Sequence, residues 1–72
     1  MKSCIFDKQT KCFVAYIDNV PTSDCWTYVP ANATRFSSMR IAKQVRSQMA
    51  KICKIKVRDM IILTDYQVKK MW

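Results

Sequence analysis

The apolar residues of this chain change their spacing at Ser37, which separates a β-rich first half from a helical segment. From Ser37 to about Cys53 they recur at the three- and four-residue spacing of an amphipathic helix. Ser37 or Ser38 is placed to cap its first turn, and Phe36 precedes the cap as a hydrophobic staple. The residues expected on its buried arc are Ile41, Ala42, Val45, Met49, Ile52 and Cys53.

Two apolar segments before the helix predict a β-hairpin. Residues 4–6 form the first, and residues 12–20, rich in β-branched and aromatic side chains, form the second. The polar stretch between them holds no Gly or Asn for a tight primed turn, so we expect a four-residue loop. Residues 25–29 predict a brief third strand that Pro30 ends.

The segment after the helix predicts further strands. Residues 54–58 alternate with period two, and residues 60–63, followed by Tyr66 and Val68, indicate one or two strands that turn near Thr64. The predicted fold class is therefore α+β. We expect a single two-layer domain of residues 1–72, with an antiparallel sheet packed on one amphipathic helix in the order ββ(β)αβ(β).

The size and residue inventory argue against an enzyme. A chain of 72 residues can bury one core, but it is too small to enclose a deep substrate pocket as well. It contains no Gly, His or Glu, and so lacks glycine phosphate loops, histidine bases and histidine metal ligands. Asp59 and Asp65 with Tyr66 form no catalytic set. We expect no catalytic residues, no cofactor and no metal.

The first residues and the lack of a long apolar stretch predict a cytoplasmic protein. Residues 1–6 form no signal peptide, and no stretch approaches the roughly 20 apolar residues that span a bilayer, so no membrane partner is expected. In that compartment thiols stay reduced. Buried core thiols are the favoured interpretation, with a structural zinc or a disulfide as alternatives, for Cys4, Cys12, Cys25 and Cys53.

The positive charge is concentrated in one segment. No acidic residue occurs between Asp24 and Asp59, and residues 35–72 carry the whole net charge of +8. A helix face that contacts only solvent usually carries acidic residues among its cations, and these form i to i+4 ion pairs. This segment has no such acids, so we predict a surface for an anionic partner. Its candidate residues are Arg35, Arg40, Lys43, Arg46, Lys51, Lys54, Lys56 and Arg58.

Aromatic side chains near these cations could stack on bases or contact a partner. The candidates are Tyr28, Tyr66 and Trp72. Trp26 is expected to be an interior anchor, because a core of this size needs its large aromatics.

A spacing around the start of the helix resembles one in a known group of proteins. The pattern W-x6-A-x2-F-S-S-x3-A-x2-V resembles the strand-to-helix junction of small phage and prophage proteins, some of which are anti-CRISPR inhibitors. The resemblance covers about 20 residues. It implies an N-terminal hairpin, a capped helix and an apolar closing strand, and it assigns no activity to any residue. The matching residues are Trp26, Ala33, Phe36, Ser37, Ser38, Ala42 and Val45.

Three functions are compatible with these features. The favoured one is a non-enzymatic, phage-type inhibitor in the host cytoplasm that binds a host defence ribonucleoprotein, meeting either acidic protein or nucleic acid phosphate. The second is a freestanding, nonspecific DNA- or RNA-binding or regulatory protein. The third is a structural or assembly protein that dimerises through a sheet edge, with Met71 or Trp72 in the contact.

Overall fold

The fold is built on a four-stranded antiparallel sheet. The structure is a computed structural model that describes residues 2–15 and 25–71. Its strands are β1 (Ser3–Asp7), β2 (Cys12–Val14), β3 (Trp26–Thr27) and β4 (Met60–Thr64). They lie in the order β3-β2-β1-β4, so that the first strand of the chain is central and pairs with the last.

Two helices and two short 3₁₀ turns complete the described residues. Helix α1 (Met39–Cys53) packs across β1 and β4, and helix α2 (Asp65–Met71) follows β4 directly. The 3₁₀ turns are Pro30–Asn32, before α1, and Val57–Asp59, between α1 and β4. The predicted α+β class, with an antiparallel sheet packed on an amphipathic helix, is confirmed.

Both faces of the sheet are apolar. Because side chains alternate along a strand, Ile5 of β1 faces α1 while Cys4 and Phe6 face the reverse side. The α1-side cluster of buried residues contains Ile5, Val14, Cys25, Phe36, Ala42, Val45, Met49, Ala50 and Met60. The reverse-side cluster contains Cys4, Phe6, Phe13, Ala33, Leu63 and Val68.

The C-terminal segment is a helix where the sequence predicted a strand. Tyr66 and Val68 belong to α2, and Val68 packs into the reverse-side cluster. The helix is fixed at its start by reciprocal hydrogen bonds. The Gln67 amide donates to Thr64 Oγ1 over 3.3 Å, and the Thr64 amide donates to Gln67 Oε1 over 2.8 Å. This is a capping box, and it ends β4 at Thr64.

Residues 54–58 also do not form the predicted strand. Lys54 ends α1 in the left-handed region with φ 56°, and the amides of Lys54 and Ile55 both donate to Ala50 O. This is a Schellman-type ending, in which Ile55 folds back onto the α1-side cluster. The chain then makes the Val57–Asp59 turn before β4 starts.

The N-terminal hairpin is confirmed. A four-residue loop joins β1 and β2, with Asp7 paired to Cys12, and Lys11 adopts a positive φ of 62° that allows the chain to turn without a glycine. The brief third strand is confirmed as β3. The predicted extension of the second strand over residues 16–20 lies outside the described residues.

The start of α1 agrees in position with its sequence signals, but the predicted side-chain cap is not formed. Ser38 is the N-cap residue, and its carbonyl accepts a hydrogen bond from the Ala42 amide, whereas its side chain makes no capping hydrogen bond. Phe36 is buried in the α1-side cluster, and its backbone pairs with that of Ser3 through two hydrogen bonds of 2.9 and 2.7 Å. This bridge fixes the point at which the chain enters the helix.

Two residues expected on the buried arc of α1 are exposed. Ile41 is 48% exposed and Ile52 is 43% exposed, whereas Ala42 and Met49 are completely buried. The buried arc of α1 consists of Ala42, Val45, Met49 and Ala50, and it is narrower than the apolar arc of the helix. Ile41 and Ile52 lie at the border of the buried arc.

The left-handed residue at the end of α1 predicts a stabilising substitution. A side chain with a Cβ is strained at positive φ and glycine is not, so we expect Lys54→Gly to raise the free energy of unfolding by about 0.5–1 kcal/mol. Urea denaturation followed by circular dichroism measures this change. Gln48→Gly, at an exposed position inside the same helix, is the control and should lower it by about 1 kcal/mol. Equal losses from both substitutions would contradict the prediction.

Candidate cationic binding surface

The exposed side of α1 carries three cations and no carboxylate. Arg40, Lys43 and Lys51 are all exposed, and α1 from Met39 to Cys53 contains no Asp or Glu. At about 100° per residue, these three positions lie within roughly 80° of one another around the helix axis. Lys54 is exposed at the helix end, where a cation complements the helix dipole. We call Arg40, Lys43 and Lys51 the cationic helix face.

Two of the predicted binding residues are less accessible to a partner than the cations on the exposed side of α1. Arg35 Nε lies 2.6 Å from Asp65 Oδ1, and Arg35 Nη1 donates to Ala33 O over 3.1 Å. These contacts connect the segment before α1 to the start of α2, so Arg35 does not join the cationic helix face. Arg46 is half-buried, and its Nε is shielded from solvent. Its guanidinium is therefore less accessible to a partner than those on the exposed side.

Lys56 and Arg58 continue the positive charge beyond the helix. Both are exposed, but Lys56 precedes the Val57–Asp59 turn and Arg58 lies within it, where the sequence predicted a strand. Lys54 and Lys56 line an open cleft of about 300 Å³ together with Asp7 and Asp59. Since carboxylates share this cleft, the charge there is mixed, and the purely cationic part of the surface is the exposed side of α1.

The carboxylates of the cleft hold the hairpin loop in place. Asp7 is fully buried, and its oxygens accept hydrogen bonds from the Gln9 amide over 3.2 Å and from Thr10 Oγ1 over 2.8 Å. The Asp59 carbonyl accepts from the Lys8 amide, and Asp59 Oδ2 accepts from Gln9 Nε2. These bonds attach the turn before β4 to the hairpin, which gives both carboxylates a structural role.

The two stacking candidates that the structure describes, Tyr28 and Tyr66, lie outside α1. Tyr66 is exposed on α2, which covers the opposite side of the sheet, and Lys70 Nζ lies 4.8 Å from its ring centroid. Tyr28 is exposed just after the edge strand β3, and a hydrogen bond with the Cys12 side chain raises the pKa of its phenol. Trp72 lies outside the described residues. Trp26, expected to be interior, is partly buried against the α1-side cluster.

The cysteines are core residues. Cys4, Cys12 and Cys25 are buried free thiols, and Cys53 is half-buried. Burial raises the pKa of the Cys4 thiol, which keeps it protonated at neutral pH and unsuited to act as a nucleophile. Within residues 2–15 and 25–71, no group of three or more Cys or Asp residues is arranged to hold a metal ion.

The exposure of two isoleucines beside the cations was not predicted from the sequence. Ile41 follows Arg40, and Ile52 follows Lys51, so each isoleucine lies about 100° around the helix from its cation. The two isoleucines are eleven residues apart, as are the two cations, which makes the rows nearly parallel to the helix axis. The available sequence signal for this exposure was the placement of Ala42 and Ala50, small residues that are buried in the structure. Small residues show which part of the helix can face the sheet closely.

The comparisons with known proteins give no relatives. No family model, no curated protein and no solved structure matches the chain. Over the residues that the structure describes, neither helix is long and apolar enough to cross a bilayer.

The contacts of Arg35 predict a structural role for that residue. We expect Arg35→Gln to lower the free energy of unfolding by up to about 1 kcal/mol, because it removes a partly exposed ion pair with Asp65. Arg40→Gln, the control on the exposed side of α1, should change it by less than about 0.5 kcal/mol. Urea denaturation of both variants tests this expectation, and a larger loss from Arg40→Gln would contradict it.

Proposed function

We propose that this chain is a small, basic, non-enzymatic binding protein that inhibits a host defence ribonucleoprotein through its cationic helix face. The observation that carries the proposal is the exposed side of α1, which presents Arg40, Lys43 and Lys51 with no acid along the helix. Unpaired cations on so small a domain repel one another, and an anionic partner relieves that repulsion. The surface therefore fits a role in binding.

The choice of target rests on the resemblance to small phage proteins. The matching residues that lie in the cores are consistent with a shared strand-to-helix junction: Phe36, Ala42 and Val45 are in the α1-side cluster, and Ala33 is in the reverse-side cluster. These residues support a shared fold, and they say nothing about the surface residues that would contact a target. The resemblance suggests the class of target, and the charge suggests the part of the chain that meets it.

Inhibition by this chain would be non-covalent. A ribonucleoprotein is strongly anionic, and the net charge of +8 would accelerate encounter through long-range attraction. Once docked, the rigid helix would occupy a surface that the complex needs for substrate binding or for its own movement. The inhibitor would then act by affinity and position alone, with the helix held on the sheet by the α1-side cluster.

Removing the cations of α1 should abolish inhibition. We expect the triple variant Arg40→Gln/Lys43→Gln/Lys51→Gln to lose at least tenfold in activity, because the anionic target would lose its counter-charges. The assay is the transformation efficiency of a CRISPR-targeted plasmid in strains with an active system, each expressing the wild type or a variant. Affinity capture of the nuclease complex from the same strains gives a second readout.

The matched control removes the same charge elsewhere. Lys2→Gln/Lys8→Gln/Lys69→Gln also eliminates three exposed lysines, all outside α1, and should retain inhibition. If the wild type protects the plasmid in no strain, or if both triple variants protect it as well as the wild type, the proposal is wrong.

Light scattering on the purified chain tests the alternative function, a dimer formed through a sheet edge, for which β4 is one edge strand.

A further inference from the structure

We infer that the target of the cationic helix face is a protein surface with a central apolar strip bordered by carboxylates, and not the phosphate backbone of a nucleic acid. This inference rests on the proposed function and names the chemistry of its partner. It starts from the half-exposed isoleucines of α1, Ile41 and Ile52, which lie beside Arg40 and Lys51.

The isoleucines belong to one row along the helix. A helix docks in an apolar groove through positions spaced i, i+4, i+7 and i+11. In α1 these positions are Ile41, Val45, Gln48 and Ile52. Val45 is buried in the α1-side cluster and Gln48 is polar, so the row presents apolar surface at its two ends, Ile41 and Ile52. The two are separated by about 16 Å along the axis, at 1.5 Å per residue. An apolar strip on a partner could cover both at once.

Phosphate gives this row nothing to contact. Lys and Arg bind the nucleic acid backbone by neutralising charge, and an isoleucine beside them gains no comparable interaction. Single-stranded nucleic acid is bound by stacking bases on aromatic rings, but α1 has no aromatic residue, and exposed Tyr66 lies on the helix that covers the opposite side of the sheet. An apolar row bordered by cations is instead complementary to an apolar strip bordered by carboxylates.

A second copy of this chain does not fit the same surface. Two copies that met through α1 would place Arg40, Lys43 and Lys51 against one another, and α1 has no acidic residue to compensate. Like charges brought together at an interface oppose association. Charge complementarity therefore selects a different, acidic protein as the occupant.

The test compares an acidic helix with a duplex. The first probe is a lactam-bridged helical peptide with leucines at i, i+4, i+7 and i+11 and glutamates beside them, and the second is a 20-base-pair DNA of arbitrary sequence. Fluorescence anisotropy of the full chain with each probe is measured from 50 to 500 mM NaCl. We expect the peptide to bind across this range. Duplex binding through three phosphate contacts should fall several hundredfold for a tenfold rise in salt.

Alanine variants separate the apolar row from the cations. Ile41→Ala/Ile52→Ala should weaken peptide binding at least tenfold and leave duplex binding unchanged, because only the peptide contacts the isoleucines. Met39→Ala is the matched control, since Met39 is 49% exposed on the same helix but lies on another side of it. It should have no effect on either probe. Thermal unfolding of each variant verifies that the fold is retained.

The outcomes distinguish this inference from the proposed function. If the peptide does not bind, or if the isoleucine variant binds it as well as the wild type, the inference is overturned. If plasmid protection depends on the three cations but not on the isoleucines, the proposed function stands and this partner chemistry is wrong. If protection does not depend on the cations, the proposed function itself fails, whichever probe binds.

Discussion

The pairing of β1 with both β2 and β4 is the constraint on which the rest of the structure depends. It makes the first strand central, so that Ile5 faces one side of the sheet while Cys4 and Phe6 face the other. Each side then needs its own cover. Helix α1 covers one side, and α2 together with the Ala33 segment covers the other. The burial of both faces fixes the register, since a slip of one residue would exchange the two sets of side chains.

The elements with a clear period were predictable from the sequence. Helix α1 has the expected type and approximate bounds, because its helical spacing extends over 15 residues. The described strands of the hairpin and β3 have the expected type. The segments around Lys56 and Tyr66 were not predictable in the same way. Their alternation extends over only a few residues, and local hydrogen bonds decided the outcome: Lys54 and Ile55 return to Ala50 O, and Gln67 caps the helix at Thr64. The T-x-x-Q spacing was present in the sequence as a helix-start signal.

The positive charge of the candidate site was predictable from the sequence, but the residues that form it were not. The acid-free segment led to the exposed cations of α1, whereas Arg35 found a carboxylate in Asp65 that lies thirty residues away in sequence. Such a pairing depends on how the start of α2 lies against the segment before α1, a tertiary arrangement that local sequence signals do not contain. The exposure of Ile41 and Ile52 depends on which part of the apolar arc faces the sheet, and helical spacing alone does not determine this. Charge therefore indicated the helix, and packing determined which of its side chains a partner can reach.

The long-range pairing of β1 has a consequence for the way the chain acquires its structure. Ser3 pairs with Thr64, and the Ser3 backbone also bridges Phe36. Strand β1 therefore pairs with residues that are synthesised much later than β1 itself. Contacts so distant in sequence close large loops before they contribute stability, which slows folding. Until residues 60–64 have been made, the apolar strand Ser3–Asp7 has one exposed edge and incomplete cover on both sides. A nascent chain of this protein is therefore most vulnerable to aggregation and proteolysis just before its last strand is added.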